Sequence, residues 1–250
     1  MPRKNPVAGV HQSLNMRSTI TVFSMFLLLV SGTRAVAEPL RIAVAANFAP
    51  TARQLSDDFQ SHTGTPVSLS VASTGVLVTQ ILHGAPFHLL LSADVRGPAR
   101  LAAAGRAVAD SQRCYAVGKL VLLGGTLADI GQDDARLAIA NPETAPYGRA
   151  AMEVLSRADG NRINDDQLVR GSSVLQAYQF WVSGGTEQAL VAASLAGDDG
   201  VTVPPQWHTP IEQHAILLTQ EHKQAMAFLS FLQSGQASST IMDAGYRACS

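Results

Sequence analysis

Residues 41–64 read RIAVAANFAPTARQLSDDFQSHTG. Arg41 to Ala46 is a short apolar run of the kind that forms a strand buried on both faces of a parallel sheet. Beyond it, Ala52, Leu55 and Phe59 recur at helical spacing, and the pattern stops at Gly64, a residue favoured just past a helix end. A buried strand followed by an amphipathic helix is the repeating unit of an α/β fold. The unit recurs along the chain. Val67 to Val71 is a second strand, followed by a helix carrying Leu77, Ile81 and Leu82 up to Gly84; Leu89 to Leu91 is a third, followed by a helix from Asp94 to Gly105.

Tyr115 to Leu123 reads as one long apolar strand, and Leu137 to Ala140 as another that passes through Asn141-Pro142 into a helix with Ala150, Val154 and Leu155. Ser173 to Val182 reads as helix, and Ala189 to Ala193 and Ala215 to Leu218 as strands. A last helix carries Ala225, Phe228, Leu229 and Leu232 as far as Gly235. There is no internal repeat or low-complexity tract. The expected fold is therefore α/β in two lobes, each a mainly parallel sheet flanked by helices. Residues 38–118 with 214–250 would form one lobe and 119–213 the other, with Tyr115–Leu123 leading out and Ala215–Leu218 leading back. A single larger sheet has the same periodicity and stays open. If there are two lobes, the cleft between them is the natural ligand site.

The first stretch of the chain is different in kind. Arg17, the apolar run Ile20 to Val30 and the small-residue sequence Ala35-Val36-Ala37 before Glu38 read as a signal peptide spanning residues 1–37, cleaved after Ala37. This run of eleven residues falls short of the ~20 that a spanning helix needs, which disfavours an uncleaved anchor. Of the 18 basic residues, four (Arg3, Lys4, Arg17 and Arg34) would leave with the signal, so that 14 remain against 19 acidic ones and the net charge is −5. Such a balance disfavours a nucleic-acid or polybasic membrane-surface binder. Cys114 and Cys249 are the only cysteines. In an exported chain they suit one disulfide, or two buried thiols, and spacing in sequence does not decide between them.

Ligands of open α/β sheets collect beyond the carboxyl ends of the strands, where helices begin and their free N–H groups and positive dipole ends point outward. Four such junctions are Ala45-Ala46-Asn47-Phe48, Ala72-Ser73-Thr74-Gly75, Ala145-Pro146-Tyr147-Gly148 and Gly171-Ser172-Ser173-Val174. None holds a charged residue. Taken singly, each reads as an ordinary helix cap. Facing one cleft, the four would form an uncharged cage of N–H and O–H donors, and helix N-termini bind anions in this way. Phosphate loops, a dinucleotide fingerprint, a nucleophile elbow and an H-E-x-x-H pair are all missing, which lowers the case for an enzyme. His208, His214 and His222 lack the spacing of a compact metal site and read as surface histidines.

At these junctions the sequence resembles the periplasmic molybdate-binding components of bacterial ABC transporters, whose fold is the type 2 periplasmic-binding fold. The segments that carry the resemblance are Val44-Ala45-Ala46-Asn47-Phe48, Ala72-Ser73-Thr74-Gly75, Gly84-Ala85-Pro86-Phe87, Leu91-Ser92-Ala93-Asp94, Tyr115 to Leu122, and Asn141 to Ala151. The resemblance implies capture of molybdate, or tungstate, by hydrogen bonds alone, with contacts from Ala46, Asn47, Ser73, Thr74, Tyr147 and the N–H of Val174, and no direct metal ligands. It also implies no cofactor, no catalysis, a monomer, and a membrane permease as partner.

The chain departs from the family pattern in four places. His88 stands where an acid is usual, Thr74 where a serine is usual, the Val174 loop reads Ser-Ser-Val, and Ala189 to Ser194 lacks a glycine. His88 is expected to be a neutral structural replacement at the start of a strand. A ferric-ion binder of the same fold would be expected to use paired tyrosines, and Tyr115, Tyr147, Tyr178 and Tyr246 are isolated in sequence. Another oxyanion or a small organic anion remains as an alternative ligand. Hydrogen phosphate carries a proton that needs an acceptor, commonly a carboxylate, and the four junctions offer none.

Overall fold

A computed structural model describes residues 38–249 apart from 109, 133 and 158–162; the signal-like segment 1–37 lies outside the described residues. Two five-stranded sheets form the framework. The first contains β1 (Leu40–Ala45), β2 (Val67–Ala72), β3 (Leu89–Ser92), β4 (Arg113–Gly118) and β10 (Ile211–Leu217), in the order β2-β1-β3-β10-β4. The second contains β5 (Leu120–Leu123), β6 (Leu137–Ala140), β7 (Leu168–Gly171), β8 (Gln188–Ala192) and β9 (Val201–Thr202), in the order β7-β6-β8-β5-β9. Within each sheet four strands point one way. β10 is antiparallel to both its neighbours in the first, and β5 to both of its neighbours in the second.

The period-2 logic of the opening segment shows in the packing. Leu40, Ile42 and Val44 of β1 face one side of the first sheet, against Ala52, Leu55 and Phe59 of α1 (Ala49–Thr63). Ala43 faces the other side, against Leu77, Val78 and Ile81 of α2 (Thr74–Leu82) and Leu101 of α3 (Arg96–Ala103). Helices thus cover both faces, which is why the strand is apolar from Ile42 onward. α1 ends at Gly64, whose φ of 69° is the left-handed cap that a side chain would oppose. In the second sheet β5, β6 and β8 pack against α4 (Pro146–Arg157) and α5 (Val174–Val182).

The lobe-to-lobe passages differ from the expected ones. Tyr115–Leu123 is two strands, because Lys119 alone separates β4 in the first sheet from β5 in the second. Ala215–Leu218 does not cross, since it lies along β3 and β4 inside the first sheet. The chain returns between Val203 and Pro210, before β10 begins. Four short elements carry no clear sequence signal: β7, β9, α6 (Ala193–Ala196) and α8 (Gly235–Asp243). α8 starts at Gly235, behind a Ser234 side chain that accepts from the Ala237 N–H, so a glycine that reads as a stop opens a new helix.

Cys114 of β4 and Cys249 are bridged, with Cα atoms 6.2 Å apart and 135 residues between them in sequence. The bridge ties the end of the chain, after α7 (Lys223–Leu232) and α8, to the strand that leads into the second sheet. Closing a loop of that size removes ~5 kcal/mol of unfolded-chain entropy on the loop-closure account. No helix among the described residues is long and apolar enough to cross a membrane.

Candidate functional site

All six residues singled out from sequence, Ala46, Asn47, Ser73, Thr74, Tyr147 and Val174, line one small cavity between the two sheets, together with Ala45, Ala93, Ala145 and Pro146. Each of the ten is buried. The volume is about 10 Å3 on the measure by which one water molecule needs ~10–15 Å3. No Asp, Glu, His, Lys or Arg contributes to the wall. Ala93 was quoted in sequence only as part of Ser-Ala-Asp. The rule that selected the other junctions would have found it, since it follows the carboxyl end of β3.

Four helical segments begin at the cavity. Asn47 lies in the 3-10 turn Ala46–Phe48 that leads into α1, Thr74 is the first residue of α2 behind Ser73, Tyr147 is the second of α4, and Val174 is the first of α5. N–H groups in a helix's first turn have no carbonyl one turn earlier to bond. Among the described residues, none of the turn and cap hydrogen bonds uses the N–H of Asn47, Ser73, Thr74, Tyr147 or Val174. These are donors at the positive ends of helix dipoles, beside a buried space.

The side chains divide into three kinds. Ser73 is the N-cap of α2, yet its hydroxyl caps nothing; it is buried and has no hydrogen-bond partner. By contrast the Ser173 and Ser234 hydroxyls each accept from a backbone N–H of the helix they precede. The Thr74 hydroxyl is in use, accepting from the Ala93 N–H at 3.0 Å and so pinning the end of β3 against α2. The Asn47 side chain is already committed. Its amide nitrogen donates to Gln213 Oε1 at 2.8 Å and to the Tyr246 hydroxyl at 3.0 Å, so both of its hydrogens are spent inside the protein. What Asn47 offers the cavity is its backbone.

Tyr147 is similar. Burial pushes its hydroxyl well above the usual tyrosine range, so it stays protonated. That hydroxyl packs over Gly118 at the end of β4, where any Cβ would collide with it, and the Gln213 amide lies beside the same spot. Neither Gly118 nor Gln213 lines the cavity, so the tip of the ring reaches the passage between the sheets, with the Asn47 side chain also nearby. The hydroxyl has no partner there.

Contacts across the cleft hold the two sheets together around the cavity. The Gly75 N–H donates to the Thr144 carbonyl at 2.8 Å, and the Ser194 hydroxyl of α6 donates to the Asn47 carbonyl at 2.9 Å. The Tyr246 hydroxyl donates to Ser194 Oγ at 3.0 Å, and Arg149 of α4 pairs with Asp94.

The tyrosines are not isolated in space. Tyr115 and Tyr246 pack against Phe48, tilted and edge-on, with ring centroids 4.8 and 5.4 Å away, and Tyr115 also feels Tyr147 and Tyr246 electrostatically. Burial, however, raises all three hydroxyls, which opposes the phenolate that a ferric ion requires. Among the described residues no group of three or more His, Cys, Asp or Glu side chains could hold a metal ion.

His88 sits at the amino end of β3, some four residues or ~13 Å of strand from the cavity end. It is buried, its Nδ1 accepts from the Arg41 N–H at 3.1 Å, and its ring stacks on His222 at 3.8 Å. Burial, with His222 and Arg41 nearby, lowers its pKa and keeps it neutral. His208 is buried rather than on the surface, its Nδ1 held at 2.8 Å by the Thr209 carbonyl.

Residues 40–247 match the family model described as bacterial extracellular solute-binding protein. The chain is 37% identical to the molybdate-binding protein ModA of Azotobacter vinelandii over 229 residues, 85% of this chain and 91% of that one. It is also 37% identical to the molybdate-binding protein ModA of Rhodobacter capsulatus over 243 residues, 91% of this chain and 96% of that one. A solved structure of the Azotobacter vinelandii periplasmic molybdate-binding protein superposes with a TM-score of 0.78 at 32% identity, covering 84% of this chain and all of the other. The cage of helix starts, the two-sheet framework and these likenesses agree, and the chain belongs to the bacterial extracellular solute-binding proteins, within the family of the molybdate-binding proteins.

Proposed function

We propose that this chain captures molybdate, with tungstate as its close analogue, and delivers it to the membrane permease of an ABC transporter. The observation that carries the reading is the Ser73 hydroxyl, buried, unpartnered and withheld from capping its own helix beside a cavity ringed by free first-turn N–H groups. A buried donor without a partner costs about 1–3 kcal/mol unless a ligand supplies an acceptor. An acceptor-only dianion satisfies every donor in the ring, and the helix dipoles supply the compensating field. With no carboxylate in the wall, the proton of hydrogen phosphate finds no side-chain acceptor.

The proposed ligand groups are the N–H of Asn47, Ser73, Tyr147 and Val174 and the hydroxyl of Ser73, while Ala46 and Thr74 shape the wall. Nothing that lines the cavity can act as acid or base at neutral pH, in keeping with binding rather than catalysis and with no cofactor. The two sheets with their helices act as the two lobes that close on the ion, the boundary on the return lying before Ile211 rather than at residue 214, because β10 belongs whole to the first sheet. The Cys114–Cys249 bridge suits an oxidising compartment, which supports export to the periplasm behind the signal-like segment. The large exposed apolar side chains, Val95, Met152, Val182, Val201 and Met226, are few, as fits a monomer. Apo protein incubated with molybdate and passed through a desalting column should retain one molybdenum per chain by elemental analysis, and retention of none would overturn the reading.

A further inference from the structure

Asp94 and Arg149 stand immediately outside the cavity wall. Asp94 follows Ala93 and Arg149 lies two residues beyond Tyr147, so each belongs to a segment that lines the cavity, one on each sheet. Their ion pair is mostly buried, with side chains 16% and 30% exposed, and it bridges the cleft between β3 and α4. On either side of it lies an open cleft that both residues line, one of about 310 Å3 and one of about 260 Å3. The pair thus lies across the cleft beside the cavity, linking the two lobes.

The two clefts differ in charge. The smaller shares Thr74 and Gly75 with the neighbourhood of the cavity and is lined by Arg96, Arg100 and Arg149 against Asp94 and Glu143. The larger sets Arg96 and Arg149 against Asp94, Glu153 and Glu212. A dianion is drawn to the first and repelled by the second, although the exported chain as a whole is acidic.

Resting on the capture reading, we propose that Arg149 exchanges partners: it receives the incoming dianion with Arg96 and Arg100 while the cleft is open, and latches to Asp94 once the ion has passed inward. Arg149 is a positioning residue that never holds the ion in the closed site. Asp94 allows a clean test. Its Oδ1 accepts from the Gly97 N–H at 2.8 Å at the start of α3, while its Oδ2 serves Arg149. Asp94→Asn keeps the first contact and removes the charge from the second.

Stopped-flow fluorescence of the apo protein mixed with molybdate separates the two roles. Asp94→Asn should raise the dissociation rate about tenfold and leave the association rate at or above wild type. Arg149→Gln should raise dissociation to a similar degree and also slow association several-fold. The double variant Arg96→Gln/Arg100→Gln should slow association alone, with the loss disappearing in ~0.5 M salt, where screening is short-ranged. Wild-type dissociation rates in both Asp94→Asn and Arg149→Gln would overturn the latch, and a wild-type association rate in Arg149→Gln would overturn the reception step. A wild-type protein that binds no oxyanion at all would instead overturn the capture reading on which the proposal stands.

Discussion

Replacing Ser73 by alanine should move affinity and stability in opposite directions. In the closed fold the Ser73 hydroxyl is buried and does not cap α2. Removing it takes no hydrogen bond from the fold, so the unfolding free energy of the ligand-free chain should stay within error or rise by up to ~1 kcal/mol. An ordinary N-cap serine behaves otherwise, since its loss costs about 1 kcal/mol. In the complex the same hydroxyl donates to a dianion, and a hydrogen bond to a charged group is worth about 1.5–3 kcal/mol, or about ten- to hundredfold in dissociation constant. Calorimetric titration gives the affinity and urea unfolding of ligand-free protein gives the stability. Wild-type affinity in Ser73→Ala, or an apo protein destabilised by more than ~1 kcal/mol, would refute the assignment of this hydroxyl to the ligand.

The backbone of Gly75 touches the opposite lobe, since a Cβ there would come within 2.8 Å of the Thr144 carbonyl oxygen. Gly75→Ala should therefore hold the cleft ajar and cost at least tenfold in affinity, while the better helix former leaves the apo protein as stable or up to ~1 kcal/mol more so; unchanged affinity would show that the contact is not needed for closure. Tyr147→Phe removes a hydroxyl that packs over Gly118, which does not line the cavity, so affinity should stay within about threefold, against the ten- to hundredfold loss expected of a donor to the ion. Reducing the Cys114–Cys249 bridge, or replacing both cysteines by serine, should lower stability by about 2–5 kcal/mol in thermal unfolding, and an unchanged midpoint would contradict the bridge. His88 is held below the usual imidazole value of 6.5, chiefly by burial and then by His222 and Arg41, with Glu38 opposing. A depressed pKa of this kind stabilises the fold fully above 6.5, and the contribution is lost as pH falls through the folded value. Wild type should therefore lose more stability between about pH 7 and pH 5 than His88→Asn, whose amide oxygen can still accept from the Arg41 N–H; equal losses would remove His88 from the account.

The framework was legible because burial on both faces leaves a plain trace. Ile42, Ala43 and Val44 are apolar in succession since helices cover both sides of β1, and Ala52, Leu55 and Phe59 mark the helix that covers one of them. The cavity residues were legible for a related reason, because strand ends that open into helices without a charged residue are few. What could not be read was which atom of each residue turns inward. The Asn47 amide is taken by Gln213 and Tyr246, 166 and 199 residues away, and the Tyr147 hydroxyl is turned by the space over Gly118. Such partners are set by tertiary packing, of which local pattern carries no sign. The same holds for the ion pair of Asp94 with Arg149 and for the break at Lys119, where one largely apolar run serves two sheets.

The central claim is that a ring of uncharged donors selects a fully deprotonated tetrahedral dianion. Titrating one ligand-free preparation of residues 38–250 in a calorimeter with molybdate, tungstate, sulfate and phosphate at neutral pH tests it most directly. The account predicts that molybdate and tungstate bind tightly at one site per chain and that phosphate, which carries a proton with no carboxylate to receive it, binds at least a hundredfold more weakly. Phosphate binding as tightly as molybdate would contradict it, and sulfate binding more tightly than molybdate would contradict the assignment of the ion.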